Sequence, residues 1–560
     1  MKVTANVLLN YIRCRRFAAL NDAENDIYRD EFDVASESHL NDFHQRFIDL
    51  FLDGPQDFNL NHVMTYDFHS EIELYETLDV VTDQNGEQVA FCLIPSTSKA
   101  FLKLKYSLDK HKYQLFTKNS FGAYEIKIPE NASESTNYLD KIDKLTRRTE
   151  DIGRIVYKYA FKRFVYDAVY EEHPLKIYFV FLNSDYVYDG ETYTKNLFHL
   201  FDFSFLYKEM KETIEADIYR MINHLELSDF TACPLVKREC RKGESYECKF
   251  VDFCFSHIPK ENSILDYFNA HLGFDEPTDE GLVHHDTYEL INEGHVDMID
   301  VPISWLKDEK HLMQRYCIET DYTHIHQKKI EALLNTLKYP LIYLDFEALP
   351  CLLPRYFGEK PFTQSVFQYS IHIQEKGQKI DINDKRHYEF IAKPEMDCRR
   401  QLTESLIAIV GAYDSSVIVY HKTFEEQRLK ELQEVFPEYR QDLQKIIDRL
   451  FDLRDVVKNN KKFYLKQGFS EDDAGRYNFY DKRLSGSYSL KKVIRIFNPT
   501  AYQNLNIKNG VEAYKAFMNL EYMAPTDRDK TIQDLLEYCK QDTYSMVEII
   551  EGIKAYLETS

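Results

Sequence analysis

Residues 341–348 read LIYLDFEA. The stretch is short, rich in strand-forming residues, and bounded by Lys-Tyr-Pro before it and Pro350 after it, which predicts a strand. Side chains alternate along a strand, so Asp345 and Glu347 share one face while Phe346 points to the other. Two carboxylates on one strand face repel and shift each other's pKa unless a cation lies between them. A divalent ion such as Mg²⁺ or Mn²⁺, which prefers hard oxygen ligands, is the natural cation.

Further acids follow in order. SSVIVYH predicts a second strand leading into the helix TFEEQRLKELQEVF, with Glu425 at the strand-to-helix junction, where a carboxylate can be aimed into a cleft. TIQDLLEYCKQDTYSMVEIIEGIKAYL has helical periodicity and sets Tyr538 and Asp542 four residues apart on one face. A phenol beside a metal-bound carboxylate can orient an attacking water. A strand with two acids, then a strand-to-helix acid, then a late helical Tyr and Asp, all within about 200 residues, is an ordered set that points to a metal site.

The surrounding chain is read as three regions: residues 1–258, mixed helix and strand ending in a cysteine cluster; residues 259–335, a mostly helical connecting segment; and residues 336–560, an α/β domain. The polar stretch from Lys458 to Arg483 is read as a long mobile loop. At 560 residues, the chain can bury more than one core. Its net charge of −23 argues against broad coating of duplex DNA and leaves room for a nuclease that grips a few nucleotides through a local basic strip. No run long and apolar enough for a membrane span is expected. The opening MKVTANVLLNYIRCRRFAAL carries arginines where a signal peptide needs its apolar centre, so a cytoplasmic location is expected.

Ten cysteines are too few for a secreted disulfide scaffold. Cys240, Cys248 and Cys254 are closely spaced in CRKGESYECKFVDFCF, with Cys14 far upstream. In a cytoplasmic protein such spacing suggests metal or cluster ligation, with zinc the generic choice for four thiolates. Cys233 is either a decoy or a substitute ligand, and Cys92, Cys317, Cys351, Cys398 and Cys539 are read as core residues. His324 and His326, two apart, do not share a helix face and are not read as ligands.

On the motifs YPLIYLDFEA, QSVFQYSIHI, VIVYHKTFEEQRL, RLFDLRDVV, GSYSLKKVIRIFNPTAYQNLNIKNG and YCKQDTYSMV, residues 340–550 resemble the DEDD exonucleases of the RNase H-like fold, in their tyrosine subclass. The whole chain resembles a bacterial family of uncharacterised proteins that fuse a RecB-type, iron–sulfur-nuclease-like N-terminal region to such a domain. The resemblance implies two Mg²⁺ or Mn²⁺ ions held by Asp345, Glu347, Glu425 and Asp542, with Asp345 bridging and Tyr538 positioning water. It implies 3′→5′ hydrolysis of single-stranded DNA or RNA ends to nucleoside 5′-monophosphates. The third acid of such sites is usually Asp; here it is Glu425, one methylene longer. Asp452 stands where related enzymes carry a further acid and is read as structural. Lys491, Lys492 and Arg495 could grip the phosphate backbone or form a solvated helix face.

For the N-terminal region, the resemblance favours a [4Fe–4S] cluster on Cys14, Cys240, Cys248 and Cys254 over zinc, and a PD-(D/E)XK-like α/β domain. Glu125 and Lys127 supply the ExK pair, but the preceding strand KAFLKLKYSL offers Lys103, Lys105 and Ser107 where an Asp is required, with Asp109 beyond it in the turn. Lys162 stands in place of the expected helical glutamine. The expectation is a degenerate nuclease module that binds nucleic acid without cutting it. Two competing readings are an inactive nucleic-acid-binding protein of repair or defence and a scaffold with a structural divalent-cation site.

Overall fold

The computed structural model describes residues 1–20, 37–52, 58–69, 72–84, 87–108, 110–128, 135–171, 173–227, 235–242 and 246–559. It is a mixed α/β protein of two compact units. The first comprises Met1–Pro234, Glu239–Phe250 and Cys351–Thr363; the second comprises Leu235–Arg238, Val251–Pro350 and Gln364–Ser560. No helix among the described residues is long and apolar enough to cross a membrane.

The first unit is built on an eight-stranded mixed sheet. Its strands are β1 (Lys2–Val3), β2 (Phe58–His69), β3 (Ile72–Gln84), β4 (Glu87–Thr97), β5 (Phe116–Lys118), β6 (Tyr124–Ile126), β7 (Lys176–Leu182) and β8 (Phe198–Phe201). The order across the sheet is β1-β3-β4-β7-β8-β6-β5, with β2 paired to β3. β7, KIYFVFL, is apolar on both faces because both are covered. Ile177, Phe179 and Phe181 pack with α1 (Ala5–Arg13), α2 (Asp151–Tyr170) and α3 (Ser204–Leu227), while Tyr178, Val180 and Leu182 pack with Phe43 and Phe47 on the other side. The excursion Cys351–Thr363 joins this second face: Leu352 enters its core, and Tyr188 and the 358–359 backbone exchange hydrogen bonds of 2.9 Å.

KAFLKLKYSL does not form a sheet strand beside Glu125. Residues Lys99–Leu102 are helical, and Lys105–Leu108 pairs with His111–Gln114 in a separate hairpin. β3 pairs with β1, β2 and β4, and β7 and β8 stand between β4 and β6. Asp109 and Cys233 lie outside the described residues.

The second unit has a five-stranded sheet of β9 (Leu341–Pro350), β10 (Gln364–Gln374), β11 (His387–Ile391), β12 (Val417–Val419) and β13 (Leu450–Asp452), in the order β11-β10-β9-β12-β13. The first three are antiparallel to one another, and β9, β12 and β13 run parallel. Helices cover both faces. Ile342, Leu344 and Phe346 point into a core shared with α4 (Thr423–Val435), while Leu341 and Tyr343 point into one shared with α5 (Leu490–Phe497) and α7 (Pro525–Thr559), which follows α6 (Gly510–Asn519). The buried stripe of α7 recurs every three or four residues, at Leu535, Tyr538, Asp542, Met546, Ile549 and Ile553. Gly552 lets α5 press onto it, since a Cβ there would overlap the Phe497 ring.

The stretch from Lys458 to Arg483 is ordered and does not form a loose loop. It contains the helices Lys461–Lys466 and Glu471–Gly475, each capped by a side chain, Asn460 and Ser470 respectively. Tyr464, Phe479 and Tyr480 are fully buried, and Phe479 and Tyr480 pair with His324–Ile325. Polar composition hid three aromatic anchors. The 259–335 region likewise packs within the second unit, with a hairpin at Phe274–Thr278 and Gly281–His285 among short helices.

Candidate metal centre

Strand alternation places Asp345 and Glu347 on the face of β9 that looks toward α7. A bulge in β10 follows directly: Glu347 faces Gln368, but Ala348 faces Val366, leaving Phe367 as the extra residue. Such bulges bend a strand and re-aim its side chains. Beyond it, Gly510 at the start of α6 comes close to Glu347, with Oε2 3.6 Å from where a Cβ would stand.

Glu425 sits in the first turn of α4, directly after the turn that follows β12. That turn contains His421 at φ +73°, a left-handed conformation costly for a side chain of this kind. Asp452, at the end of β13, holds it: its carboxylate accepts the backbone N–H of His421 (3.1 Å), Lys422 (3.0 Å) and Arg454 (3.0 Å). Asp452 is thus structural, as its sequence position suggested, and it fixes the direction from which Glu425 enters. Glu425 is 1% exposed, and its Oε2 has no hydrogen-bond partner. Burial, then repulsion from Asp345 and Asp452, pushes this carboxyl well above the usual range, against its own backbone N–H and the Arg428 charge.

Asp542 enters from α7. The hydroxyl of Tyr502 donates to its Oδ1, and the Tyr538 hydroxyl acts on the same carboxylate. Burial raises its pKa, opposed by Lys491 and by these two tyrosines. Asp345 is pushed well up by burial and by Asp542; Glu347 by burial, Asp345 and Asp542. Four carboxylates therefore disfavour one another's ionisation in a low-dielectric pocket, the electrostatic condition that a divalent cation relieves.

Two features of the site have no clear local signature in the sequence. Cys539 was assigned to the core, yet its Sγ lies 3.8 Å from Asp345 Oδ2, and Asp345, Glu347 and Cys539 place ligand atoms within 4.8 Å of one another. The one hint is its position three residues before Asp542, on the same helix face. The second is Lys508, which joins Lys491 and Arg495, both candidates from the sequence, in a basic wall. Lys491 Nζ donates to Tyr538 Oη at 3.1 Å and sits 4.9 Å and 5.2 Å from the Tyr538 and Tyr502 ring centroids. With Arg495 and Lys508 it lines a cavity of about 420 Å³. Lys492 is not part of this lining, and its charge acts to lower the Asp266 pKa.

The remaining sequence candidates separate. Glu125, on β6, accepts a hydrogen bond from Asn119 at 3.1 Å, close by in sequence. Lys162, on α2, reaches Glu76 on β3 at 2.7 Å and the Thr77 carbonyl at 2.6 Å; Ala5 N–H also donates to Glu76, at 2.8 Å. Burial alone would lower the Lys162 pKa, but Glu76, Cys92 and Asp79 together raise it. Lys162 and Glu125 do not form one site. Cys240 and Cys248 are joined by a 2.8 Å backbone hydrogen bond; Cys14 ends α1, and Cys254 belongs to the second unit. His324 Nε2 bonds the Tyr477 carbonyl at 3.2 Å, a structural role.

Residues 342–489 match a family model described as a domain of unknown function, DUF2779. The chain is similar to the uncharacterised protein MG366 of Mycoplasma genitalium, at 26% identity over 39% of this chain and 32% of that protein. It is similar to the uncharacterised protein UU173 of Ureaplasma parvum at 27% identity over 42% of this chain and 34% of that protein. The chain thus spans about a third of the length of the curated relatives it matches. No solved structure matches it.

Proposed function

We propose that the second unit is an RNase H-like, metal-dependent 3′→5′ exonuclease that acts on single-stranded nucleic-acid ends and releases nucleoside 5′-monophosphates. The carrying observation is the convergence of Asp345, Glu347, Glu425 and Asp542 from three elements onto one buried pocket, with Glu425 Oε2 unsatisfied. A sheet of three antiparallel strands followed by two parallel ones, helices on both faces, agrees with the RNase H-like reading.

The donor set fits Mg²⁺ or Mn²⁺, which Asp345, Glu347, Glu425 and Asp542 would hold. Bound there, such ions lower the pKa of water and stabilise charge on a leaving oxygen. The protein's own groups do the rest. The Tyr538 hydroxyl receives a hydrogen bond from Lys491 and acts on the Asp542 carboxylate beside it, so its phenol oxygen has a defined place in the pocket. Lys491, Arg495 and Lys508 offer positive charge and hydrogen-bond donors to a phosphate chain arriving through the cavity they line. A local wall of this kind reconciles nucleic-acid binding with a net charge of −23.

The first unit is read as the degenerate nuclease-like module that binds without cutting. Its buried polar cluster of Glu76, Asp79, Cys92 and Lys162 already contains a cation, the Lys162 ammonium. The [4Fe–4S] cluster on Cys14, Cys240, Cys248 and Cys254 enters this reading from the family resemblance alone, four thiolates being the set such a cluster takes. Incubation of end-labelled single-stranded DNA and RNA with Mn²⁺, or with EDTA, tests the activity. Mononucleotides released by the wild type in Mn²⁺ alone, and not by Asp345→Asn, are expected. Stabilisation by Mn²⁺ without turnover moves the site to a structural cation centre.

A further inference from the structure

Cys539 is fully buried and, unlike Cys92 and Cys317, lies outside the four large apolar clusters, as the buried Cys351 and Cys398 also do; what sets it apart is the pair of carboxylates it meets. Its sulfur faces Asp345, 3.9 Å from the backbone carbonyl and 3.8 Å from Oδ2, with the Glu347 carboxylate close enough that the three ligand atoms lie within 4.8 Å of one another. A buried thiol among carboxylates makes only weak hydrogen bonds, so packing and polar satisfaction leave its placement unexplained. The geometry of coordination explains it. A tetrahedral ion with an M–S bond of about 2.3 Å and an M–O bond of about 2.1 Å separates sulfur from oxygen by about 3.6 Å. The observed 3.8 Å differs by little more than a side-chain adjustment. A second observation points into the same place: Glu425 Oε2, 1% exposed and without a partner, whose strongest repulsive neighbour is Asp345.

We propose that Cys539 is a metal ligand: with Asp345 and Glu347 it forms a mixed thiolate–carboxylate seat that takes thiophilic divalent ions of the Zn²⁺, Co²⁺ and Cd²⁺ class. The inference rests on reading this pocket as a divalent-cation centre. Mg²⁺ and Mn²⁺ use its oxygens; a softer ion gains the sulfur as well and competes for the same carboxylates. On binding, the Cys539 S–H bond breaks, a sulfur–metal bond forms, and the proton leaves to solvent.

The test is Co²⁺ titration of the full-length protein, read as near-ultraviolet thiolate-to-cobalt absorption. Mn²⁺ binding is followed in parallel by loss of the free Mn²⁺ resonance signal. The wild type minus Cys539→Ser difference spectrum isolates this thiol from the other cysteines. The expected result is a band present in the wild type and lost in Cys539→Ser, with Mn²⁺ affinity within about threefold of wild type because the oxygens remain. Asp345→Asn, which keeps the thiol, should also lose the band. Identical Co²⁺ spectra for wild type and Cys539→Ser overturn the proposal. So does a loss of Mn²⁺ affinity in Cys539→Ser that matches its loss of Co²⁺ affinity, because that is the pattern of a disturbed pocket. The band is read without turnover, and nucleotide release is assayed separately, so the two claims fail separately. A Cys539-dependent band without nucleotide release refutes the exonuclease reading alone, and nucleotide release without the band refutes the ligand assignment alone.

Discussion

Replacing Glu425 by Gln changes charge and almost nothing else. In the metal-free protein, Glu425 is a buried carboxylate with one oxygen unpartnered and repelled by Asp345 and Asp452. Leaving a buried polar group unsatisfied costs about 1–3 kcal/mol, and more when it is charged. Glutamine removes the repulsion, and its amide N–H can donate to a neighbouring acid. Above the pH at which Glu425 ionises, Glu425→Gln should therefore be more stable than wild type by about 1–3 kcal/mol. A domain of roughly 200 residues shifts its Tm by about 2–4 °C per kcal/mol, so the gain is several degrees at pH 8 in EDTA. Near pH 4 the wild-type carboxyl is protonated and the two proteins should melt together. Saturating Mn²⁺ should reverse the order, because the variant has lost a ligand: each tenfold loss of affinity removes about 1.4 kcal/mol of ligand stabilisation. Thermal melts at both pH values, with and without Mn²⁺, provide the four comparisons. A variant less stable than wild type in EDTA at pH 8, yet equally stabilised by Mn²⁺, would refute both the electrostatic account and the ligand role.

Tyr538→Phe should slow mononucleotide release by about 10²-fold with little change in Mn²⁺ affinity, since a positioned hydrogen bond is lost and no ligand is; binding and single-turnover assays separate the two. Asp452→Ala removes three backbone hydrogen bonds from the His421 turn, so it should lower stability by about 2–3 kcal/mol and weaken Mn²⁺ binding without Asp452 touching the ion, measured by denaturant melts and titration. Lys162→Met strands the buried Glu76 charge and should cost about 3–5 kcal/mol, largely restored in Lys162→Met/Glu76→Leu; a single variant as stable as wild type would argue that the pair is dispensable. The pH dependence has a fixed sign. Asp345, Glu347, Glu425 and Asp542 are all raised above their unfolded values, so the folded state holds extra protons and their contribution is fully present below about pH 4 and lost as pH rises through the folded values. The metal-free protein should lose stability from pH 5 to pH 8, and Mn²⁺ should restore it most at the upper end.

What the sequence determined by itself is whatever one element's own geometry encodes. A two-residue period placed Asp345 and Glu347 on one face of β9, and a four-residue step placed Tyr538 and Asp542 on one face of α7. The strand-to-helix change at 419–423 put Glu425 at a mouth, and an Asp opening a helix in RLFDLRDVV behaves as a cap. What only the tertiary structure decided is which element stands opposite. Lys162 meets Glu76 across 86 residues of chain because β3 and α2 pack together, whereas the ExK pattern at Glu125 belongs to a strand elsewhere in the sheet. Lys508 reaches the basic wall through a cavity that no local period announces. The polar 458–483 stretch folds because Tyr464, Phe479 and Tyr480 find a core made by distant residues. Cys539 shows the division most sharply: helical spacing fixed the face it occupies, but whether that face meets apolar side chains or Asp345 was set by where β9 runs, and that register is decided by long-range packing and not by the helix itself.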